Sequence, residues 1–394
     1  MPALGVLAAA TFGQIGVSVL QQGVAVLSYA LALPLALSLS QTGSLVSATS
    51  VGVMVAMFLG GTLIDRYGVR PVLIVSSLVT VAGGSAIASQ TTYFGLAASL
   101  AATGFGLGAL PIAGARVIFD AFAGKTRGLA MGIRQTGVPL GAAIAAAALP
   151  AVAARNGSGS PWLLLALAAA ALNLVLAAVS PQRQAGPSAA PTPLRGDLRR
   201  TALPALLGFL LAAGQYGLLT YTVASRPGGV GLAQAGLLLA LAQLGGAAGR
   251  VGFGRLSDRL GSRPLVIALA AGVGATGVAA ATHLPPAAPY LLRAVLYLIA
   301  GLGAIGWNAL LLTWAGERVS PGRAGQAIGS IGTAVFAGSA VWPPLLGLLA
   351  QHLGFTTAWL ALAGLIAVAA LLAFAAGTAA RPRNFRLGST NGGT

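Results

Sequence analysis

The acidic residues are the first candidates for chemistry, because this chain of 394 residues contains only five of them. Four of the five form two matching pairs, Asp65 with Asp120 and Asp258 with Glu317. Carboxylates close to arginines form strong, charge-assisted hydrogen bonds. We therefore predict two ion-pair clusters, one joining Asp65 and Asp120 to Arg66, Arg70 and Arg127, the other joining Asp258 and Glu317 to Arg259, Arg263 and Arg323.

Two of these acids lie in a repeated segment. Residues 61–71, GTLIDRYGVRP, recur as residues 254–264, GRLSDRLGSRP, with seven of eleven positions identical and an offset of 193 residues. Gly68 and Gly261 allow a tight turn at the same place in each copy, and a proline follows where the next helix would begin. The repeat predicts a chain of two related halves.

Arginines within or near uncharged, hydrophobic runs are a second set of candidates, because a charge there is costly and often functional. Arg116 precedes Asp120 by one helical turn, which predicts an ion pair between them. Arg293 stands near the outer end of its run, and we expect its charge to extend toward the membrane surface.

Arg134 and Arg250 have no acid at helical spacing. Gln243 lies seven residues before Arg250 and therefore on the same face of a helix. These residues are candidates for binding a small anion, with a role at a gate or at the lipid interface as the alternative for the arginines.

The composition shows where these residues must lie. Hydrophobic residues make up 57% of the chain and charged residues 7%, and 22 basic against 5 acidic residues give a net charge of +17. Soluble proteins carry about 25% charged residues, and nucleic-acid-binding proteins do not have a mean hydropathy of +0.88. We expect the lipid bilayer as the partner and no nucleic acid, since anionic headgroups attract basic segments.

Uncharged runs long enough to cross a bilayer recur along the chain, and a crossing helix needs about 20 apolar residues. Their Ala- and Leu-rich blocks show no alternation with a period of two, so we predict an all-α membrane protein. The twelve predicted spans, numbered 1 to 12, are residues 5–33, 43–64, 71–89, 93–118, 128–151, 161–180, 201–224, 232–253, 264–282, 289–314, 324–349 and 356–378.

Basic residues predict the orientation of these spans. Sixteen arginines and lysines fall on the side of the termini and even-numbered connections, whereas only Arg155 and Arg226 fall on the other side. The positive-inside rule places both termini in the cytoplasm, which predicts an integral protein of the cytoplasmic (inner) membrane. We predict an N-terminal six-helix bundle over 1–180, a cytoplasmic linker over 181–200, a C-terminal six-helix bundle over 201–380 and a cytoplasmic tail over 381–394.

The repeated segment resembles the signature loop of the major facilitator superfamily of secondary transporters. That loop, between helices 2 and 3, reads Gly-x-Leu-Ala-Asp-Arg-x-Gly-Arg-Lys/Arg, and a weaker copy lies between helices 8 and 9. Both copies here keep the Gly, Leu, Asp, Arg, Gly and final Arg, whereas Val69 and Ser262 replace the ninth-position Arg. The resemblance implies the superfamily fold of 12 transmembrane helices in two pseudo-symmetric six-helix bundles, alternating access, and a monomer.

The resemblance also implies candidate substrate contacts, because helices 1, 4, 7 and 10 line the central cavity in that family. Arg250, four residues before Gly254, is similar to the helix-8 arginine that binds carboxylate in monocarboxylate and oxalate/formate members. Hydrogen bonding between helices is the alternative role for the amides. The complete predicted substrate-binding set is Gln22, Arg134, Gln215, Tyr216, Gln243, Arg250 and Asn308.

We predict that the two ion-pair clusters hold the halves shut on the cytoplasmic side and break when the cavity opens inward. The alternative is that these charges only set the topology. The predicted gate comprises Asp65, Arg66, Gly68, Arg70, Arg116, Asp120, Arg127, Asp258, Arg259, Gly261, Arg263, Glu317 and Arg323.

These features favour transport over catalysis. An enzyme needs a nucleophile with a base, or metal ligands, and the two histidines, His283 and His352, are predicted on the face opposite the carboxylates. We expect no enzymatic activity, no metal site and no cofactor. Movement of a small organic anion is the favoured function, export of drug-like amphiphilic compounds is the alternative, and a channel is less favoured. The coupling ion stays open.

Overall fold

A computed structural model of the chain describes residues 3–122, 124–157, 161–180, 198–319 and 324–379, without the side chains of residues 61, 62, 65, 119, 124–129, 132, 198, 199, 324–326 and 328. The predicted tail and nearly all of the predicted linker lie outside these residues. The described residues form helices and no strands. The helices are α1 (Ala3–Ala32), α2 (Leu39–Tyr67), α3 (Val69–Ile87), α4 (Tyr93–Leu107), α5 (Ala109–Ala121), α6 (Gly124–Asn156), α7 (Trp162–Val179), α8 (Leu198–Ser225), α9 (Leu232–Leu260), α10 (Arg263–Thr282), α11 (Tyr290–Ala304), α12 (Asn308–Glu317) and α13 (Ala324–Ala379).

These helices account for the twelve predicted spans. Helices α1 to α3 are spans 1 to 3, α4 with α5 forms span 4, α6 to α10 are spans 5 to 9, and α11 with α12 forms span 10. Eleven segments are long and apolar enough to cross a bilayer, and the last of them, Gly329–Ala379, has 51 residues. About 20 residues suffice for one crossing. Gly354, with φ 81° and ψ 161°, breaks α13 into spans 11 and 12.

The connections between the spans lie on two opposite faces of the molecule. The motif face carries the turns of the two repeated segments, which emerge on the same side because six spans separate them. The far face carries the connections at 33–38, 226–231 and 283–289 and the break at Gly354. Gly68, with φ 85°, and Gly261, with φ 63°, end α2 and α9 at the motif face in a conformation that glycine adopts without strain.

Close glycine contacts occur at equivalent places in both halves. In each half, a glycine of one span packs onto a backbone carbonyl of another so closely that a Cβ would come within 3.0 Å. The N-terminal pairs are Gly52 on Ala101 and Gly104 on Thr49, and the C-terminal pairs are Gly245 on Leu298 and Gly301 on Ala242. Residues of spans 2 and 8 correspond at an offset of 193, and residues of spans 4 and 10 at an offset of 197. The second offset also relates Asp120 to Glu317, so the halves share one packing pattern.

The halves meet along a seam formed by spans 1, 2 and 5 from the N-terminal half and spans 7, 8 and 11 from the C-terminal half. Toward the far face, Gly43 of span 2 packs on Pro343 of span 11, and Gly236 of span 8 packs on Ala146 and Pro150 of span 5. Gly43 and Gly236 are equivalent residues of the two halves at the offset of 193, and so are Pro150 and Pro343. Such an exchange of partners is what a pseudo-two-fold axis between two repeats produces.

Candidate functional site

The far-face end of the seam is closed by backbone contacts. The buried hydroxyl of Tyr221, on span 7, lies 2.6 Å from the carbonyl oxygen of Pro343 and 3.0 Å from that of Leu39 in the other half. Gly43 and Gly347 surround the hydroxyl, and a Cβ on either would come within 3.0 Å of it. The tyrosine therefore joins spans 2, 7 and 11 at a point with no room for larger residues.

A second contact across the seam depends on a proline. Pro344 has no N–H, so the carbonyl of Ala340, four residues earlier, has no donor within its own helix. The hydroxyl of Ser47, on span 2 of the other half, donates a hydrogen bond to this oxygen. The proline thus leaves a carbonyl oxygen without a donor in its own helix, and a serine of the opposite half donates a hydrogen bond to it.

Below this closure, a polar cluster crosses the seam. The Tyr216 hydroxyl, on span 7, lies near the side chains of Gln22 on span 1 and Ser339 on span 11, and close enough to the guanidinium of Arg250 on span 8 to interact with it electrostatically. Gln22, Tyr216 and Ser339 are buried, and Arg250 is half-buried. The structure brings together Gln22, Tyr216 and Arg250, three of the predicted substrate-binding residues.

Arg134 forms a separate group within the N-terminal half. Its side chain is 2% exposed and donates from Nη2 to Gln14 Oε1 at 2.8 Å and to the carbonyl of Pro111 at 3.0 Å. Gln14 in turn donates to Ser18 at 3.2 Å. The Nε of Arg134 has no acceptor, and no ion pair neutralises the guanidinium among the described residues.

The two arginines lie at similar depth on spans that meet across the seam. Arg134 is 12 residues from Ala146 along span 5, and Arg250 is 14 residues from Gly236 along span 8, both toward the motif face. At 1.5 Å per residue, they lie roughly 18 and 21 Å below the contact between Ala146 and Gly236. Positive charge therefore flanks the seam at one level from both halves.

The other predicted substrate-binding residues are Gln215, Gln243 and Asn308. Gln215 is 4% exposed and its Oε1 has no hydrogen-bond partner, and Gln243 is 2% exposed and its Nε2 has none, among the described residues. Asn308 is half-buried and begins α12, directly after the break at residues 305–307 in span 10. Buried amide atoms without partners are costly. Gln215 and Gln243 thus each keep one buried amide atom without a hydrogen-bond partner, and their role in substrate binding stays a prediction.

In the second motif copy, one arginine binds both acids. Arg263 donates from Nη1 to Asp258 Oδ1 at 2.5 Å and from Nη2 to Glu317 Oε1 at 3.0 Å, and also to Ser257 at 2.9 Å. These bonds join the end of span 8 to the start of span 9 and the end of span 10. All three spans belong to the C-terminal half. Arg259 is exposed, and Arg323 lies outside the described residues.

The first motif copy is arranged differently. Arg70 donates to the carbonyls of Ala177 and Ala178 at the end of span 6, at 2.9 Å each. Arg116 and Asp120 lie 3.7 Å apart, one helical turn from each other. Arg66 stacks over the ring of Tyr67 at 5.3 Å. The side chains of Asp65 and Arg127 lie outside the described part of the chain. Each described ion pair thus lies within one half, and the gating role of these residues stays a prediction.

Several residues of the seam were not predicted from the sequence. Ser339 completes the cluster around Tyr216, Gln14 holds Arg134, and Tyr221 with Ser47 closes the far face. The adjacent prolines at 343 and 344 were a usable signal, because they mark backbone acceptors without helical donors. No local signal distinguishes Ser47 from the other serines and threonines of span 2.

Comparison with known proteins identifies the family. The sequence pattern of the Major Facilitator Superfamily matches residues 6–343 and again residues 229–391. An uncharacterized MFS-type transporter of Mycobacterium tuberculosis (strain ATCC 25618 / H37Rv) is 35% identical over 346 residues, covering 84% of this chain and 76% of that protein. The corresponding protein of strain CDC 1551 / Oshkosh has the same identity and coverage.

Solved structures agree on the fold. A D-xylose–proton symporter superposes with a TM-score of 0.77 at 15% identity, covering 95% of this chain and 98% of that one. A nucleoside transporter superposes with a TM-score of 0.76 at 14% identity and the same coverage. Their sequence identity is too low to indicate a shared substrate. The chain is an integral membrane protein and belongs to the Major Facilitator Superfamily of transporters.

Proposed function

We propose that this transporter carries a small organic anion, a carboxylate, across the membrane by alternating access. The observation that carries the proposal is the position of Arg134 and Arg250, which flank the seam at similar depth from opposite halves. Neither forms an ion pair among the described residues. The chain's five acids, at positions 65, 120, 197, 258 and 317, leave spans 1, 5, 7 and 11 without a carboxylate.

Arg134 and Arg250 differ in how many of their hydrogen-bond donors are already used by the protein. A buried guanidinium without an anion is costly, and it is stabilised when a carboxylate accepts two parallel hydrogen bonds from it. Arg134 already donates to Gln14 and Pro111. No hydrogen bond or ion pair of Arg250 is found among the described residues, its Nε has no acceptor, and the nearby Tyr216 hydroxyl is neutral. We assign Arg250 as the main carboxylate ligand and Arg134 as a supporting positive charge.

The gating proposal follows from the two ends of the seam. The named contacts between the halves, from Tyr221, Gly43, Ser47 and Gly236, lie toward the far face. Alternating access requires these contacts to separate when the far face opens and the motif face closes. We propose that the motif-face arginines and acids, including Arg263 with Asp258 and Glu317, keep each half rigid during this motion. The charge distribution supports a cytoplasmic motif face in the inner membrane.

One observation favours a second candidate substrate class. Gln215 and Gln243 each keep a buried amide atom without a partner, and such atoms suit the hydroxyl groups of a neutral solute. A neutral, hydroxylated substrate is therefore the alternative to be compared with the carboxylate.

The test compares ligand classes on the purified protein. Thermal unfolding is measured with lactate and oxalate, with D-xylose and uridine, and with the amphiphilic cation ethidium, followed by uptake into proteoliposomes of the compounds that stabilise. We expect a shift with the carboxylates and uptake of the same compounds. Arg250→Gln should abolish both, whereas Arg226→Gln, which removes an exposed far-face arginine, should not. Stabilisation and uptake confined to neutral solutes or to ethidium would contradict the anion proposal.

A further inference from the structure

A cavity lies inside the C-terminal half. It has a volume of about 280 Å³ and lies between spans 7, 9, 10 and 12 at the far face. Leu218, Val278, Phe355 and Trp359 form apolar walls, and the exposed residue Thr356 lies at its rim. This volume is just below the lower end of the range for ligand pockets, about 300 Å³, so the cavity suits only a small molecule such as one with a single ring.

A buried arginine forms part of this cavity's wall. Arg293 is 3% exposed, and its Nη2 donates to the carbonyls of Pro285 and Pro286. A guanidinium has five N–H donors, so three remain on Nε and Nη1. The structure describes no hydrogen bond or ion pair for these three. The hydroxyl of Tyr297, one turn further along span 10, lies near the same guanidinium.

The local electrostatics favour an anion. Arg293 is the fourth residue of α11 and lies in its first turn, where the helix dipole is positive. None of the chain's acids belongs to the far-face connections, so no carboxylate of the described chain neutralises this charge. A buried charge without a counter-ion is costly, and binding an anion would remove most of that cost.

The backbone holds this arginine in one place. Gly228, with φ 72°, packs directly on the guanidinium, and a Cβ there would come within 3.0 Å of it. Two proline carbonyls fix the Nη2 from the other side. The side chain is therefore ordered before any ligand arrives, which reduces the entropy lost on binding.

We propose that this cavity is a binding site for a small carboxylate with an apolar body, such as an aromatic acid, held by Arg293 at the far face. The apolar walls suit a ring, and the free donors of the guanidinium can hold a carboxylate through parallel hydrogen bonds. The lining residues all belong to the C-terminal half and include neither Arg134 nor Arg250, so the site is distinct from the proposed substrate site. Its ligand would join the 226–229 turn, the 283–289 connection and the start of span 12.

The experiment uses benzoate as the probe and full-length protein carrying Arg250→Gln, so that the proposed seam site is silent. Binding is followed by tryptophan fluorescence, because Trp359 lines the cavity. We expect saturable binding that weakens at least tenfold in Arg293→Gln. Arg155→Gln, which removes an exposed arginine on the same face but in the N-terminal half, should bind as the parent does.

A second variant tests the cavity itself. Ala281→Leu fills the space while keeping Arg293, and it should also abolish binding. Equal affinity in the parent and in Arg293→Gln would overturn the proposal, as would unchanged affinity in Ala281→Leu. Binding of benzyl alcohol as tight as that of benzoate would show an apolar cavity without charge recognition. Binding of phosphate in place of benzoate would overturn the ligand class. None of these outcomes bears on transport through the seam.

Discussion

Gly43 of the N-terminal half packs on the carbonyl group of Pro343 in the C-terminal half, where a Cβ would lie 2.5 Å from the carbonyl carbon and oxygen. At the equivalent place with the halves exchanged, Gly236 packs on the carbonyl oxygen of Ala146 and on the ring of Pro150. Both contacts lie toward the far face, so the halves touch there through a symmetric pair of glycines. We interpret this pair as the closed end of an alternating-access carrier.

Replacing Gly43 with alanine should open the far face. The added methyl group has no space against backbone atoms, and overpacking of this kind costs about 1–3 kcal/mol. Only the state with a closed far face contains the contact between Gly43 and Pro343, so the substitution destabilises that state alone. The measurement is the distance between spin labels on cysteines introduced at Asn156 and Ala233, both exposed, on spans 5 and 8 in a chain without natural cysteines. We expect a longer distance in Gly43→Ala.

The matched control is Gly252→Ala, on span 8, where a Cβ would meet no atom within 4 Å. Alanine also favours the helix by up to about 1 kcal/mol over glycine. This variant should therefore leave the distance unchanged. A longer distance in both variants, or in neither, would argue against the glycine contact as the closing element.

Replacing Ser47 with alanine should also weaken the closure. Its hydroxyl donates to the Ala340 carbonyl across the seam, and the variant leaves that carbonyl without a donor. Loss of about 1 kcal/mol would raise the far-face-open fraction about fivefold. The labels at Asn156 and Ala233 report this fraction. Ser44→Ala is the control, because Ser44 bonds Gln41 and Tyr93 within its own half. An equal shift in the two variants would exclude a specific role for Ser47.

The two motif arginines should respond differently to salt. Arg263 binds two carboxylates that are 67% and 50% exposed, and exposed ion pairs contribute about 0–1 kcal/mol each. The loss of thermal stability in Arg263→Gln should thus be small and should shrink between 0.05 and 1 M NaCl, since salt screens exposed charges. Arg70→Gln removes two hydrogen bonds to carbonyls, so its larger loss should persist at high salt. Identical salt dependence would contradict the different arrangements of the two copies.

Anion binding at the seam should not depend on pH between about 6 and 8. The cluster around Arg250 contains arginine, tyrosine, glutamine and serine, none of which changes protonation in that range. A simple carboxylate is also ionised throughout it. Binding isotherms of lactate at the two pH values should coincide. A tenfold change in affinity would indicate a titrating group at the site, and would contradict an assignment without an acid or a histidine.

The architecture was predictable because its signals are strong and local. Apolar runs set the spans, and the repeated glycine-aspartate-arginine segment revealed the two halves. The span boundaries agree with the helices to within several residues, although the extension of α6 to Gly124 was not expected. The helix break after Ala304 was not expected either; at this break Gly306 packs closely on the backbone of Gly249, which is far away in the chain.

The site was less predictable because its contacts join distant parts of the chain. The pairing of Arg116 with Asp120 follows from spacing on one helix. By contrast, Arg70 binds carbonyls more than 100 residues away, at the end of span 6, and no residue pattern marks a helix end as its partner. The proximity of Tyr216 to Ser339 likewise joins spans 7 and 11, which are distant in the chain.

The central claim is that two bundles rock about the seam, so that one face closes as the other opens. Two pairs of spin labels test it, one at Asn156 and Ala233 on the far face and one at Tyr67 and Leu260, exposed and equivalent in the repeat, on the motif face. In the double variant Gly43→Ala with Gly236→Ala, we predict that the far-face distance lengthens while the motif-face distance shortens. Lengthening at both faces, or a change at one face alone, would contradict a rocking motion of two rigid halves.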